Sequence, residues 1–245
     1  MVTGATGAVG SATVTAVLRE GGRVIAVDLD GPALREMHRT DSVEVTKLDV
    51  TDDDAWQRLT RHISSTWERL DGLVTCAAVM HHQDGPLESI SRETWDNTQA
   101  INATGVMLAS RTAVSLMKPA GRGAIVHIGS ITASRGSAIA QMAYTASKGA
   151  VRALSREMAV AYAPHGIRVN TIASGLLGTR LTSDLVAQPR ELGRRLTHIP
   201  MGRLGLPEEI AAAAIWLLSD ASSYITGTSL AVDGGLSAAF VTGHE

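Results

Sequence analysis

The chain has 245 residues, of which 44% are hydrophobic, with a formal net charge of −2 and a pI near 6.4. This size suits one large α/β domain, predicted to span residues 1–245, better than two small ones. The small net charge gives no electrostatic reason to expect nucleic acid or an anionic membrane as a partner. No apolar run approaches the roughly 20 residues that span a bilayer. A single cysteine, Cys76, excludes an intramolecular disulfide, and no zinc-type spacing is present. We therefore expect a cytoplasmic protein without a metal.

The first predicted strand is very short, because Met1-Val2 leads straight into a glycine-rich turn over Thr3 to Gly10. A helix follows from Ser11 to Arg19. Glycines at positions 4, 7 and 10 permit a tight turn and close approach to a pyrophosphate, which the helix N-terminus would bind. The alternative is an ordinary glycine-rich turn. We also expect that a few apolar residues placed upstream of Met1 would raise thermal stability.

The second predicted strand runs from Arg23 to Asp28 and ends in a carboxylate. A dinucleotide-binding unit places there the acid that binds the adenosine ribose, and a carboxylate repels a 2′-phosphate. Since Leu29 supplies no cation, we predict NAD rather than NADP. Asp28 could instead cap a helix that begins at Gly31-Pro32, although Asp30 is also placed for that role.

A third strand, Val43 to Leu48, precedes Asp49 and Val50. Asp49 at this edge is placed to accept a hydrogen bond from an adenine amino group, with Val50 packed on the ring. Asp52 to Asp54 are predicted to cap and begin the next helix. Its apolar face consists of Trp56, Leu59, Ile63 and Trp67.

The fourth predicted strand, Gly72 to Ala78, ends in small residues where a cofactor would fit. Cys76 is interpreted as a packed side chain, because nothing nearby in sequence activates a thiolate. His81 and His82 follow in a loop that is placed to contact substrate. As adjacent residues they project differently and do not suggest a metal site.

Two polar residues stand out in the next elements. Asn102 lies within a helix predicted from Ile101 to Met117, where a surface position and a buried polar role both stay open. A fifth strand, Gly123 to Ser130, delivers Ser130 at its carboxyl end, where open α/β sheets bind ligands. Ser130 is placed to donate to a substrate carbonyl oxygen, or it merely begins the following loop.

Tyr144 and Lys148 are four residues apart in a predicted helix, which places phenol and ammonium on one face. A neighbouring cation favours the phenolate and lowers the phenol pKa. Such a pair can exchange a proton with a substrate oxygen. The helix ends at Pro164 and Gly166.

The remaining elements complete an alternating pattern. A sixth strand (Ile167 to Ile172), a predicted substrate lid over residues 176–200, a helix (Pro207 to Leu218) and a last strand (Leu230 to Gly235) follow in order. Strands that alternate with helices in this way predict a doubly wound, mostly parallel, Rossmann-like sheet in three α/β/α layers.

Together these motifs resemble the short-chain dehydrogenase/reductase family over essentially the whole chain. The resemblance rests on the glycine-rich turn, Asp28, Asp49, Asn102, Ser130, the Tyr144/Lys148 pair, Arg168-Val169-Asn170, the run Pro200 to Gly205, and Val232-Asp233-Gly234-Gly235. It implies an NAD-dependent oxidoreductase that acts on a secondary alcohol or ketone.

The resemblance also implies residue roles. Tyr144 would be the general acid–base, Lys148 would lower its pKa and bind the nicotinamide ribose, and Ser130 would hold the substrate oxygen. Asn102 would position a water that links Lys148 to solvent. The cofactor would contact Gly4, Thr6, Gly7, Ala8 and Val9 at the pyrophosphate, Asp28 at the ribose, Asp49 and Val50 at the adenine, and Ala77, Leu177 and Thr179 along the nicotinamide half. A homotetramer is implied, with Thr104 to Met117 and Tyr144 to Tyr162 at a dimer interface.

Four features depart from the family pattern. The middle glycine of the turn is Gly7 and position 8 is Ala, Thr75 to Ala78 replace Asn-Asn-Ala-Gly, Ser174-Gly175 replaces Pro-Gly, and the first strand is short. Gly7 suggests, as an alternative, an epimerase or dehydratase that retains NAD. The short first strand and the altered Thr75 to Ala78 segment suggest, as a further alternative, a nucleotide-sensing or nucleotide-binding protein without catalysis.

Overall fold

The computed structural model describes residues 1–37, 41–137, 139–179, 182–183 and 187–239. Within these ranges, seven parallel strands form one sheet in the order β3-β2-β1-β4-β5-β6-β7. The strands are β1 (Val2–Thr3), β2 (Val24–Asp28), β3 (Val43–Lys47), β4 (Gly72–Thr75), β5 (Gly123–Ile128), β6 (Ile167–Ser174) and β7 (Ser229–Val232). The strand order reverses between β1 and β4, and the crevice at such a point is where open α/β sheets bind ligands.

Helices cover both faces of the sheet. The α-helices of the described residues are α1 (Ala8–Arg19), α2 (Gly31–Met37), α3 (Asp53–Thr66), α4 (Arg92–Gln99), α5 (Gly105–Ala120), α6 (Met142–Tyr162), α7 (Pro189–Leu196) and α8 (Pro207–Leu218). One buried cluster joins the sheet to α3, α5 and α6, and a second joins its other face to α1, α2 and α8. The predicted Rossmann-like, three-layer architecture is confirmed, including a first strand of only two residues.

Local signals place most helix ends where the sequence predicted them. The Asp52 carboxylate accepts the N–H of Ala55 at 2.9 Å and so caps α3. Gly166 adopts φ +70°, which ends the short helical turn after α6. Pro207 begins α8, and the Glu209 carboxylate returns to the backbone N–H of Leu206 at 2.8 Å.

The helix predicted to begin at Ile101 is longer and less regular. Helix α4 continues through a π-helical turn, Ala100–Thr104, directly into α5. A π turn closes hydrogen bonds over five residues and is frequent at functional sites. Residue periodicity does not reveal such a turn, because one extra residue shifts the apolar pattern of the helix without breaking it.

A regular helix lies inside the predicted lid. Helix α7 occupies Pro189–Leu196, where the sequence suggested only a weak helical pattern. Positions 180–181 and 184–186 of the lid lie outside the described residues. The lid over residues 176–200 therefore stays a prediction. None of the described helices combines the length and apolar character needed to cross a membrane.

A histidine is buried under α5 and α6. His127 on β5 has its Nε2 atom 2.9 Å from the Ser110 hydroxyl of α5 and its Nδ1 atom 2.7 Å from the Ser155 hydroxyl of α6. Burial lowers the pKa of His127 to about 3, and the charge of Lys148 acts in the same direction. The imidazole is therefore neutral at physiological pH and joins β5 to both helices.

Candidate active site

The turn between β1 and α1 requires glycine at two positions. Gly4 has φ +63°, and a Cβ atom there would lie 2.6 Å from the backbone nitrogen of Ala77. A Cβ atom on Gly10 would lie 2.0 Å from the carbonyl oxygen of Gly4. These approaches join the turn to the end of β4 and to α1.

The N-terminus of α1 lacks a side-chain cap. Gly7 is the N-cap residue and cannot supply one, and α1 has no acidic residue in its first turn. Gly7 and Ala8 are exposed. Uncapped N–H groups at an exposed helix start bind anions, so the turn formed by Gly4, Thr6, Gly7, Ala8 and Val9 fits a pyrophosphate.

Asp28, at the end of β2, is held in one orientation. Its Oδ2 atom accepts the backbone N–H and the hydroxyl of Thr6 at 2.9 and 2.8 Å. Its Oδ1 atom accepts the N–H groups of Leu29 and Asp30 at 2.7 and 3.2 Å. Asp30, not Asp28, accepts from Ala33 in the first turn of α2, at 3.2 Å. The carboxylate therefore braces the glycine-rich turn and keeps its charge at the carboxyl end of β2.

A cavity of about 390 Å³ lies beside the turn and is lined by Thr6, Ser11, Ala33, Glu36 and Met37. Among the residues that the structure describes, the acid Glu36 is the one charged residue of this lining. A negative charge in that place disfavours a 2′-phosphate.

The predicted adenine contacts lie at the end of β3. Asp49 is exposed, and its Oδ1 atom accepts the N–H and the hydroxyl of Thr51 at 2.9 and 2.8 Å. Val50 is only 9% exposed and packs against Gly105, where a Cβ atom would lie 2.7 Å from its Cγ2 atom. Val50 therefore has little exposed surface to pack on an adenine ring, and the predicted adenine site depends mainly on Asp49.

Tyr144, Lys148 and Ser130 meet at the carboxyl end of β5. The Lys148 Nζ atom lies 5.6 Å from the centroid of the Tyr144 ring. It donates to the carbonyl oxygen of Ile128 at 2.9 Å, at the last residue of β5. Ser130, two residues further, hydrogen-bonds the Tyr144 side chain. The three residues predicted from sequence are thus brought together.

The pKa of Tyr144 differs from the prediction. Burial raises the pKa of its phenol above the usual value, and the hydrogen bond with Ser130 opposes that rise. Burial also lowers the pKa of Lys148 to about 8. The expected lowering of the Tyr144 pKa by Lys148 is therefore not found. Burial raises this pKa, and the Lys148 ammonium group donates to the carbonyl of Ile128 and not to the phenol oxygen.

The hydroxyl of Ser130 is oriented by its neighbour. Ser130 Oγ accepts the backbone N–H of Thr132 at 3.2 Å and the hydroxyl of Thr132 at 2.9 Å. A serine oxygen has two acceptor sites and one proton. With both acceptor sites used, the proton of Ser130 is left to donate to the Tyr144 oxygen or to a substrate oxygen.

Asn102 is fully buried within the π turn. Its Oδ1 atom accepts the N–H of Val79 at 2.8 Å, and its Nδ2 atom donates to the Val79 carbonyl at 2.9 Å and to the Ser147 hydroxyl at 3.1 Å. The side chain joins the loop after β4 to α6. The buried polar role left open by the sequence is found.

The remaining predicted cofactor residues lie in the segments that follow β4 and β6. Ala77 lies against Gly4. Leu177 pairs with Gly205 in an isolated bridge, and the Thr179 N–H donates to the Thr182 hydroxyl at 3.0 Å. The predicted substrate residue His81 has Nε2 2.8 Å from Asn97 Oδ1.

Three further residues at the site were not predicted from the sequence: Thr132, Asp84 and Gln99. Thr132 follows Ser130 by two residues, and this spacing is the one signal that could have revealed it. The Asp84 carboxylate accepts N–H groups of α6, and Gln99 donates to the Ala143 carbonyl at 2.9 Å. These contacts connect residues far apart in sequence.

Comparison with known proteins identifies the family. A family model described as enoyl-(acyl carrier protein) reductase matches residues 4–237. Cis-4-hydroxycyclohexanecarboxylate dehydrogenase from Sinomonas cyclohexanicum is 38% identical over 245 residues, which cover 97% of this chain and 96% of that protein. The inactive 2-(S)-hydroxypropyl-CoM dehydrogenase 2 from Xanthobacter autotrophicus is 38% identical over 230 residues, 91% of this chain and 98% of that protein. The chain belongs to the short-chain dehydrogenase/reductase family.

The structural match is equally extensive. The crystal structure of gox2181 superposes with a TM-score of 0.91 at 33% identity, covering 96% of this chain and 94% of that chain. This short-chain dehydrogenase/reductase is therefore an oxidoreductase that acts on CH–OH or C=O groups.

One family departure has a visible structural effect. Thr75 stands where the family has the first Asn of Asn-Asn-Ala-Gly, and its buried hydroxyl has no hydrogen-bond partner among the described residues. The next residue, Cys76, is half-buried, and loss of solvation raises the pKa of its thiol to about 12. Such a thiol is a packed side chain and not a nucleophile, as predicted.

Proposed function

We propose that the protein interconverts a secondary alcohol and its ketone with NAD as cofactor and Tyr144 as general acid–base. The observation that carries this proposal is the convergence of Ser130, Tyr144 and Lys148 at the carboxyl end of β5. The glycine-rich turn lies at the same edge of the sheet. The proposal thus assigns the hydride to the cofactor and the proton to the protein.

In the proposed reaction, bound NAD supplies the acceptor or donor of the hydride. Ser130 donates to the substrate oxygen, since Thr132 occupies its acceptor sites. During reduction a hydride adds to the carbonyl carbon, and Tyr144, whose phenol keeps its proton because burial raises its pKa, gives that proton to the carbonyl oxygen. Oxidation is the same step in reverse and starts from the Tyr144 phenolate. Lys148 places its Nζ atom 5.6 Å from the centroid of the Tyr144 ring, and Asn102 holds the loop after β4 against α6.

The choice of NAD over NADP rests on charge. Asp28 is fixed at the end of β2, and Glu36 lines the cavity next to it. Two carboxylates at this end of the crevice oppose a 2′-phosphate. Leu29, exposed beside Asp28, brings no cation.

The substrate class is proposed from exposed apolar side chains in the segment before Tyr144 and in the loop after β4. Ile139 and Met142, which precede Tyr144, are exposed, as is Met80 after β4. A relative is named for an alcohol on a cyclohexane ring. We infer a cyclic secondary alcohol with a mainly apolar body.

Tyr144→Phe tests the activity. We expect no NADH formation from an alcohol panel (cyclohexanol, cyclopentanol, cis-4-hydroxycyclohexanecarboxylate and 2-butanol), while NADH binding stays measurable by fluorescence. Turnover by the variant at the wild-type rate would exclude Tyr144 as the acid–base. NADH binding by the wild type without turnover would instead support a non-catalytic sensor, a second candidate favoured by the altered Thr75 to Ala78 segment and by the relative named inactive.

Assembly and organisation are also proposed. A cavity of about 640 Å³ lies on the outer face of α5 and α6, lined by residues that include Met107, Val114, Leu154 and Met158. An apolar groove on these helices suits the dimer interface of a homotetramer. We further propose one dinucleotide-binding and catalytic domain over residues 1–245, with a lid at 176–200, in a cytoplasmic protein.

A further inference from the structure

The first turn of α6 is capped from outside the helix. Gln141, at its N-cap, makes no side-chain capping bond. The carboxylate of Asp84, in the loop after β4, accepts the N–H of Ala143 through Oδ1 at 3.0 Å and the N–H of Tyr144 through Oδ2 at 2.8 Å. Each carboxylate oxygen thus satisfies one of the N–H groups that a helix leaves unpaired at its start.

The loop that carries Asp84 is itself anchored. The Asp84 N–H donates to the His81 carbonyl at 3.0 Å, and the His81 ring is 2.8 Å from Asn97 of α4. Val79, at the start of the loop, is held on both backbone groups by Asn102. The carboxylate is therefore presented to α6 from a fixed position.

Tyr144 is the third residue of α6, so its phenol is placed by the turn that Asp84 grips. At the same turn, Gln99 donates to the Ala143 carbonyl at 2.9 Å. We propose that Asp84 is a positioning residue for the acid–base of this enzyme, holding Tyr144 at the distance at which it exchanges a proton with substrate. This inference rests on the proposed function, in which Tyr144 handles the proton.

The bond also has an electrostatic consequence. The N-terminus of α6 carries a partial positive charge, which the Asp84 carboxylate offsets. Among the described residues, Lys148 on the same helix and Ser130 at the end of β5 lie at the Tyr144 side chain, and Asp84 from the loop accepts the Tyr144 backbone N–H. Removing the negative charge while retaining the shape favours the phenolate, so Tyr144 should ionise at lower pH in Asp84→Asn.

The experiment compares Asp84→Ala, which loses both bonds, with Asp84→Asn, which retains one carbonyl acceptor. Glu88→Ala is the matched control, an exposed acid in the same loop. We would measure hydrogen exchange in the first turn of α6, NADH affinity, and single-turnover NADH formation with the alcohol of the panel that reacts fastest. The ionisation of Tyr144 is followed by its ultraviolet absorbance, with the signal of the corresponding Tyr144→Phe form subtracted from each protein.

We expect faster exchange and slower hydride transfer in the order wild type, Asp84→Asn, Asp84→Ala, with about a tenfold loss of rate for Asp84→Ala. NADH affinity and the control should stay within twofold of wild type. Unchanged exchange overturns the inference, and so does faster exchange with an unchanged rate or an equal loss of NADH affinity. If the wild type oxidises no alcohol, the proposed function fails, and exchange together with Tyr144 ionisation still decides the role of Asp84: an unshifted ionisation contradicts it.

Discussion

Thr132 donates two hydrogen bonds to Ser130 Oγ, one from its backbone and one from its hydroxyl. The pair fixes which way the serine proton points. Thr132→Val removes one donor and nearly conserves the shape, and we expect a loss of about 1 kcal/mol of transition-state stabilisation, roughly fivefold in kcat/KM. Steady-state oxidation of cyclohexanol measures it. Thr132→Ser should retain activity, and equal loss in both variants would contradict the orientation argument.

Cofactor preference should depend on the charge of Asp28. In Asp28→Asn the carboxylate is neutralised, and we expect the ratio of kcat/KM for NADP to that for NAD to rise about tenfold, because like-charge repulsion of the 2′-phosphate falls. Asp30→Asn, in the same segment, is the control. An unchanged ratio would show that Asp28 acts only as a brace for Thr6.

The glycine-rich turn gives a matched pair. Gly10→Ala places a Cβ atom against the Gly4 carbonyl at 2.0 Å, so the turn must open, whereas at Gly7 the corresponding contact is 3.2 Å. We expect Gly10→Ala to abolish NADH binding and lower the Tm, with Gly7→Ala losing much less affinity. Fluorescence titration and thermal unfolding compare them, and equal behaviour would argue against the turn as the pyrophosphate site.

Acid stability should report His127. Its pKa is about 3 in the folded protein and 6.5 in the reference state, so the folded state binds this proton less readily than the unfolded chain. The associated stability is present above pH 6.5 and is lost as the pH falls toward 3, at up to about 1.4 kcal/mol per pH unit.

His127→Asn should therefore lose less stability than wild type between pH 6 and pH 4 in urea unfolding. The exposed His198→Asn serves as control. Parallel decline in all three proteins would contradict a buried neutral imidazole.

The proposed dimer interface is tested by charge insertion. Met107, 38% exposed, lines the groove on α5 and α6, and Met201, 62% exposed, lies elsewhere. We expect a tetramer by light scattering for wild type and Met201→Glu, and a smaller species for Met107→Glu, since a charge in an apolar interface is costly. A monomeric wild type would refute the proposed assembly.

Much of the fold and the centre of the site could be predicted because their signals are local. The glycine spacing, Asp28 at a strand end and the Tyr144/Lys148 pair each lie within a few residues and need only secondary structure to interpret. The bonds from Asp84 to α6 span 59 and 60 residues and could not be read from any segment. The predicted direction of the Tyr144 pKa shift was wrong for a related reason, because this shift depends on burial of the phenol by parts of the chain that are distant in sequence.

The π turn at Ala100–Thr104 sets the rotation of α4 about the helix axis relative to α5. An α-helix rotates by about 100° per residue, so deleting one residue from the turn would rotate α4 by that angle relative to α5. Gln99 and Asn97 would then leave the Ala143 carbonyl and the His81 ring. Inserting or deleting one residue in this turn therefore changes the contacts of α4 with α6 and with the loop after β4, while the packing of α5 on the sheet stays the same. Related sequences can alter the surroundings of Tyr144 in this way without changing the sheet.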